Sequence, residues 1–540
     1  MFQENKNHLQ NLLFNTETVM NRTRKLALKN SWSEKFYEHI FQTIDEKPFE
    51  ALYCNDNGRP NFPVNILVGL EILKETFSIT DEQLYENYHF NYLYQKALGV
   101  ENINEYSFSI RTLYNFRYSL VEYENKTEKD LYSTIFKNGR DKIISELGLK
   151  TGLQRTDSVM IGANIKRMSR FTLFHKVLSN LVKEISNRNE IVSNELKELV
   201  SEEEDSAYYR LTKIQVSEKL KDLANFLYVH VERWKDHPTI NKTNAYLNAR
   251  RLLDEQCRVI NPTKIELKEP NEIHGGSLQN PADPDATYRS KRDEHHHGYS
   301  VHGVETCDPE NVVQVITSID TVRNNMDDAK VLSQNITELK RETQLNTIIG
   351  DGGFISEEAI IECKTNGVEL IATAIRGKTL GEEKLDSLTF KLNDKNLIEE
   401  CPNGERPKSQ KMKADGTLIA NFDIKKCNNC PLKEKCIAVK SSKQSRLVIN
   451  TKRRWLDERN SNLKSEEYQK LCSMRPAVEG LMEKLKPKYL RGRTLFRGLE
   501  KVRTRMILRA IGLNFKRYWS WIVDLIKIFI NLFETKSQLD

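Results

Sequence analysis

The chain has 540 residues, with 83 Lys and Arg against 76 Asp and Glu, a formal net charge of +7 and a mean hydropathy of −0.61. With 38% hydrophobic and 29% charged residues it reads as a globular protein with room for two to four domains. Nine scattered cysteines exclude a secreted disulfide framework, and MFQENKNHLQ lacks the basic-then-apolar pattern of a signal peptide. The longest apolar stretch, Trp519 to Phe533, carries Asp524 and Lys527 and falls short of the ~20 residues of a membrane span. A cytoplasmic location is expected.

In chain order, Val64, Leu67, Leu70 and Leu73 recur at helical spacing, and Ile79-Thr80-Asp81 opens a further helix. Residues 1–120 are therefore expected to form a helical N-terminal domain. Its last segment, SFSIRTLYNFRYSL, suits a small DNA-binding module in which Arg111, Tyr114, Asn115 and Arg117 touch phosphate or base. A purely packing role for the same helices fits equally well. Residues 121–150 read as a linker. Leu153 to Ile161 is a short strand containing Asp157, so 151–170 begin an α/β core. Phe174, Val177, Leu178, Leu181, Val182 and Ile185 mark one helix face, and a second helix runs from Tyr208 to Trp234. Residues 171–284 are read as a helical insertion.

From Gly298 the period falls to two. GYSVHGVETC and NVVQVITSID predict strand–turn–strand, with Asp308 to Asn311 as the turn. A helix from Asp327 to Thr343 follows, then a strand, Leu345 to Gly350, that runs into Asp351-Gly352-Gly353. A helix (Ser356 to Thr365) and a strand (Val368 to Ala374) complete an alternation typical of an α/β sheet, so 285–375 continue the core. Residues 376–445 are polar, Lys-rich and hold the clustered cysteines. Arg446 to Asn450 is expected to return to the sheet, 446–517 to finish the core, and 518–540 to form an amphipathic terminal helix.

The C-terminal part is strongly basic: between Lys484 and Arg517 stand twelve Lys and Arg and one acid, Glu500. A basic density of this kind suits phosphates. Just upstream, Arg475, Glu479 and Lys486 are spaced to share one helix face. Asp157 in a strand, Asp351 at a strand end beside two glycines, and Glu479 on a helix offer three hard oxygen donors, the type that selects Mg²⁺ or Mn²⁺. Each acid alone is an ordinary cap or surface group. Together they match the needs of a two-metal phosphoryl-transfer site.

In that combination the chain resembles the DDE transposases of bacterial insertion sequences. The likeness rests on Asp157, Asp351 and Glu479, and on TDSVMIGAN, ADPDATYRSK…HHHGYSVHGVETCDP, the GDGG turn, CNNCPLKEKC and RPAVEGLMEKLK…RGLEKV. In the related signature a Tyr precedes the Arg by three residues; here that position holds Cys472. The resemblance implies an RNase H-like catalytic core, a mixed sheet flanked by helices. It also implies metal-dependent DNA cleavage and strand transfer at the element's ends, with two Mg²⁺ or Mn²⁺ held by Asp157, Asp351 and Glu479. Arg475 and Lys486 would position phosphates, and Arg491, Arg493, Arg497, Lys501 and Arg503 would grip terminal DNA. The partners implied are the terminal inverted repeats and target DNA, bound by a homodimer near the bacterial nucleoid. An RNase H-like nuclease that does not join, or a non-catalytic DNA-binding derivative, are the alternatives.

Four other groups compete for a role. Cys401, Cys427, Cys430 and Cys436 supply four thiols, enough for one structural Zn²⁺, and a reduced metal-free loop fits equally. His295, His296, His297 and His302 fit a DNA-contacting loop with Arg289, Lys291 and Arg292 better than a metal site, because consecutive strand residues cannot face one ion. Asp327 and Asp328 read as helix caps beside Asp320, and Glu483 as a neighbour of Glu479. Trp455 reads as core.

Overall fold

The computed structural model describes residues 1–10, 14–54, 59–102, 105–188, 190, 194–201, 209, 211–261, 264–291, 294–373, 384–441, 443–487 and 492–536. Helix α1 (Val64–Phe77) is buried along nearly all its length, Glu71, Lys74 and Glu75 included. Charges in such a place need partners. Glu71 receives Arg117 at 2.7 Å and Arg505 from the far end of the chain, Glu75 faces Arg505 and Arg509 at 3.9 and 3.8 Å, and Lys74 meets Asp81 at 2.6 Å. Burial raises the Asp81 pKa, but Arg117 and Lys74 outweigh it and hold this carboxyl well below its ordinary value. The next helix, Asp81–Phe90, starts in a capping box between Thr80 and Gln83. Helices Ile110–Thr127 and Leu131–Leu147 occupy the span expected as a linker.

The central sheet has six strands: β1 (Leu153–Gly162), β2 (Thr287–Lys291), β3 (Glu294–Thr306), β4 (Ile316–Arg323), β5 (Thr347–Gly350) and β6 (Glu369–Ala372). β3 runs antiparallel to β1 on one side and to β2 and β4 on the other. After β4 the chain crosses over through α2 (Asp328–Glu342) to β5, parallel to β1, and through α3 (Glu357–Thr365) to β6, parallel to β5. An antiparallel meander thus continues into a parallel half, a mixed α/β sheet.

Strand alternation divides the packing. Val159 and Ile161 of β1 join Val478, Leu481 and Met482 of helix α4 (Val478–Leu485) and Met506, Ile507 and Ile511 of helix α5 (Leu499–Lys536). The same core includes Leu67 and Leu70 of α1, so the N-terminal helices and the sheet share one apolar interior. On the other face Val304 packs with Ala329, Leu332 and Ile336 of α2 and Ile360 of α3. α5 binds the two halves closely: a Cβ on Gly512 would stand 2.3 Å from Thr76 Oγ1, so only glycine permits this helix crossing.

Two insertions leave the sheet. Helices Arg170–Asn187, Lys213–Trp234 and Asn244–Gln256, with a hairpin of Cys257–Asn261 and Lys264–Leu267, enclose a core of their own between β1 and β2. After β6, strands Ser409–Met412, Leu418–Asp423, Val439–Lys440 and Gln444–Ile449 form a separate four-stranded sheet. Arg446 to Asn450 therefore does not return to the central sheet. Its strand pairs with Leu418–Asp423, burying Leu447 and Ile449 against Phe390 and Phe422. The apolar stretch from Trp519 belongs to α5, and among the described residues no helix is long and apolar enough to cross a membrane.

Two outcomes test this interior. Arg505→Ala leaves Glu71, which is fully buried, short of its closest cation and should cost about 3 kcal/mol in urea denaturation; a cost below about 1 kcal/mol would show that the pair does not hold α1 to α5. Glu124 is buried near Asp130 and Glu500, and burial first, then these like charges, pushes its pKa up to about 8 against the pull of Arg503. A carboxyl raised in the folded state is protonated there while the unfolded chain ionises, so stability falls as pH rises from the ordinary Glu range to about 8. Glu124→Gln should flatten that fall in thermal midpoints measured from pH 5 to 9; an unchanged slope would contradict it.

Candidate active site

The parallel pairing of β1 with β5 ends at Arg155 opposite Ile349. Two residues on, Asp157 in β1 and Asp351 just past β5 come side by side on the same face. Each carboxylate is oriented by a nearby main-chain donor: Ser158 N–H donates to Asp157 Oδ1 at 2.8 Å, and Gly353 N–H donates to Asp351 Oδ1 at 2.7 Å. A Cβ on Gly353 would sit 2.9 Å from that Asp351 oxygen and push the carboxylate from its place. Glu479 enters from the first turn of α4, which packs on β1.

Arg475, in the short turn before α4, reaches all three acids. One terminal nitrogen lies 2.6 Å from Asp157 Oδ2 and 3.9 Å from Asp351 Oδ2, and the other lies 3.0 Å from Glu479 Oε1. The turn is fixed from behind. Arg155, two residues before Asp157, donates to the Met474 carbonyl at 2.8 Å while paired with the buried Glu305 at 2.7 Å. Burial raises the Asp157 pKa and Asp351 adds to the rise, against the Ser158 N–H, Arg475 and Lys291. Glu479, by contrast, keeps 67% of its side-chain surface exposed.

Three carboxylates around one guanidinium leave a formal excess of negative charge, carried by hard oxygen donors already drawn to a single cation. Carboxylate oxygens of this kind are the donors that hard divalent ions accept. Among the described residues no three His, Cys, Asp or Glu side chains yet stand close enough to hold an ion.

The expected DNA contacts separate into two groups. Arg111, Arg493, Arg497 and Lys501 are exposed, and Arg493 and Arg497 lie over the end of β1, against Gly162 and the Asn164 carbonyl. Lys291 acts electrostatically on Asp157, and Lys486 pairs with Glu483 at 2.9 Å on the rim. The second group is engaged in the fold. Arg117 is bound to Glu71 and Asp81, Arg503 to Glu500 at 2.6 Å, and Arg289 to the carbonyls of Asn324 and Met326. Farther along the basic run, Arg505, Arg509 and Arg517 serve buried Glu71, Glu75 and Glu305. Arg292 and Arg491 lie outside the described residues.

Cys472 sits in helix Glu466–Ser473, packed in an apolar cluster with Tyr468, and burial raises its pKa. Cys401, Cys427 and Cys436 pack against the small sheet's core. Glu405 N–H and Leu432 N–H donate to Cys401 Sγ and Cys430 Sγ at 3.4 Å. Trp455 is partly buried against the α2–α3 core. Sequence reasoning missed Arg155, Glu305 and Ser158. Arg155 carried a usable signal, lying two residues from Asp157 on the same strand face.

Residues 400–519 match the family described as "Transposase DDE domain", a span that includes Arg475, Glu479 and the whole basic run from Lys484 to Arg517. Residues 25–119 match the family described as "Transposase domain (DUF772)", which covers the N-terminal helices through most of Ile110–Thr127. No curated protein and no solved structure matches the chain.

Proposed function

The chain belongs to the insertion-sequence DDE transposases, and from that premise we propose that it binds the ends of its element and catalyses metal-dependent cleavage and strand transfer of DNA. The observation that carries this reading is the gathering of Asp157, Asp351 and Glu479, from two neighbouring strand ends and a facing helix, around the Arg475 guanidinium. The strand order, an antiparallel meander running into two parallel strands joined by helical crossovers, supports an RNase H-like core.

Asp157, Asp351 and Glu479 would hold Mg²⁺ or Mn²⁺. Such ions, when bound, lower the pKa of the attacking water or 3′-hydroxyl and stabilise the leaving oxygen. This chain's own groups set the stage for that chemistry. Ser158 and Gly353 N–H fix the two aspartates, and Arg155 fixes the turn that carries Arg475. Were a dication to take its place on the carboxylates, Arg475 would be free to offer its planar fork to a DNA phosphate, a geometry suited to bidentate contact. Lys291, Lys486, Arg493, Arg497 and Lys501 are exposed or half-buried cations and would track the DNA backbone, making end binding strongly salt-dependent. The DNA partner follows from the family; a homodimer on DNA is part of the proposal.

The test uses the element's end DNA, a target plasmid and Mg²⁺. Wild type should release 3′-ends and join them. Asp351→Asn should lower cleavage by at least about a thousandfold while leaving end binding within about twofold. Cleavage without joined product would turn the reading into a nuclease, and Asp351→Asn cleaving like wild type would end it.

A further inference from the structure

Asp328 stands at the first position of α2 and looks from sequence like a helix-start acid. The structure gives it another setting. The cap position belongs to Asp327, which is exposed and makes no side-chain cap bond. Asp328 is turned into the sheet, with 10% of its side chain exposed, at the positive end of α2 that favours its charge. Its Oδ1 accepts a hydrogen bond from Ser158 Oγ at 3.1 Å and has Arg289 and His302 each 3.7 Å away. Its Oδ2 lies 3.3 Å from the point where a Gly353 Cβ would stand.

Among the neighbours of Asp328 are the two residues whose N–H groups orient the catalytic aspartates. Ser158 uses its main-chain N–H on Asp157 and its hydroxyl on Asp328. Gly353 uses its N–H on Asp351 and presents its bare α-carbon to Asp328. One buried carboxylate on the back of the sheet thus bears on both halves of the aspartate pair at its front.

His302 supplies an independent sign that this place is built. It pairs in register with Ser158, keeps only 5% of its surface exposed, and has both ring nitrogens buried without a hydrogen-bond partner. Its ring meets Phe354, of the Asp351 turn, edge-on with centroids 6.2 Å apart. A buried imidazole without a partner is unusual and is kept here against an acid.

We propose that Asp328 is a positioning residue of the catalytic centre: with His302 behind it, it holds Ser158 and Gly353 so that Asp157 and Asp351 face one cation. The proposal rests on the reading of Asp157, Asp351 and Glu479 as the cation-binding set. Groups that orient ligand-bearing residues from outside typically change metal affinity by about 10- to 100-fold when removed.

The test is a calorimetric Mn²⁺ titration of the full chain without DNA, with thermal midpoints taken in EDTA. Asp328→Asn should weaken Mn²⁺ binding by about tenfold or more, Ser158→Ala by a few-fold, and the neighbouring Asp327→Asn by less than about twofold. His302→Ala should weaken it too, and His302→Gln, which refills the space behind Asp328 with a polar side chain, should recover most of the loss. Asp328→Asn that folds and binds Mn²⁺ like wild type overturns the proposal. Should Asp328→Asn fail to fold, Ser158→Ala binding like wild type overturns it. Loss of binding in Asp351→Asn with full binding in Asp328→Asn removes this inference alone, whereas a wild-type protein that takes up no Mn²⁺ removes the cation-binding reading on which it stands.

Discussion

Arg475 brings one positive charge to the place where three carboxylates converge, and the arrangement around it depends on that contact. Two aspartates on adjacent parallel strands repel each other at close range, and burial makes ionisation of Asp157 harder still. A guanidinium 2.6 Å from Asp157 and 3.9 Å from Asp351 offsets both effects. The same group holds Glu479 at 3.0 Å and so ties the first turn of α4 to the two aspartates. A planar cation with several donors can serve three acids at once, which a lysine ammonium on its flexible stem would do poorly.

A similar use of arginine against buried acid joins the halves of the molecule. Glu71 and Glu75 on α1 are met by Arg505 and Arg509 on α5, and Glu305 behind the site is met by Arg155 and Arg517. The basic C-terminal run thus divides into a surface set and a buried set. Arg505, Arg509 and Arg517 neutralise acids inside the protein, while Arg493, Arg497 and Lys501 remain at the surface near the end of β1. Arg493 and Arg497 precede α5, whereas Arg505, Arg509 and Arg517 lie on the side of that helix turned inward.

Much of this was legible in the sequence. The β3–β4 pair, α2, β5 and α3 fall within a few residues of their expected limits, because period-two and period-3.6 patterns were clear there and the Asp351-Gly352-Gly353 turn punctuated them. Asp157 was expected within a strand and Asp351 where a strand ends; Asp157 lies in β1 and Asp351 follows the last residue of β5. What could not be read was partnership. A run of arginines looks alike whether it faces phosphate or a buried glutamate, and Arg117 gave no local sign of Glu71, 46 residues away. The span 121–150 is polar enough to pass for a linker, yet its apolar residues, such as Leu131, Ile135 and Ile143, fit a helix packed on the core. Asp328 looked like a cap because local spacing is all that a sequence displays, and its true neighbours come from β1 and the Asp351 turn.

The central claim is that the three carboxylates exchange the Arg475 guanidinium for a divalent cation when the site is made ready. Crystals of the full chain, grown without metal and then soaked in Mn²⁺, test it most directly through anomalous scattering. The account predicts a manganese peak between Asp157 and Asp351 and an Arg475 side chain withdrawn from hydrogen-bonding distance of Asp157. Arg475 still seated on Asp157, with no manganese at the acids under saturating Mn²⁺, would contradict it.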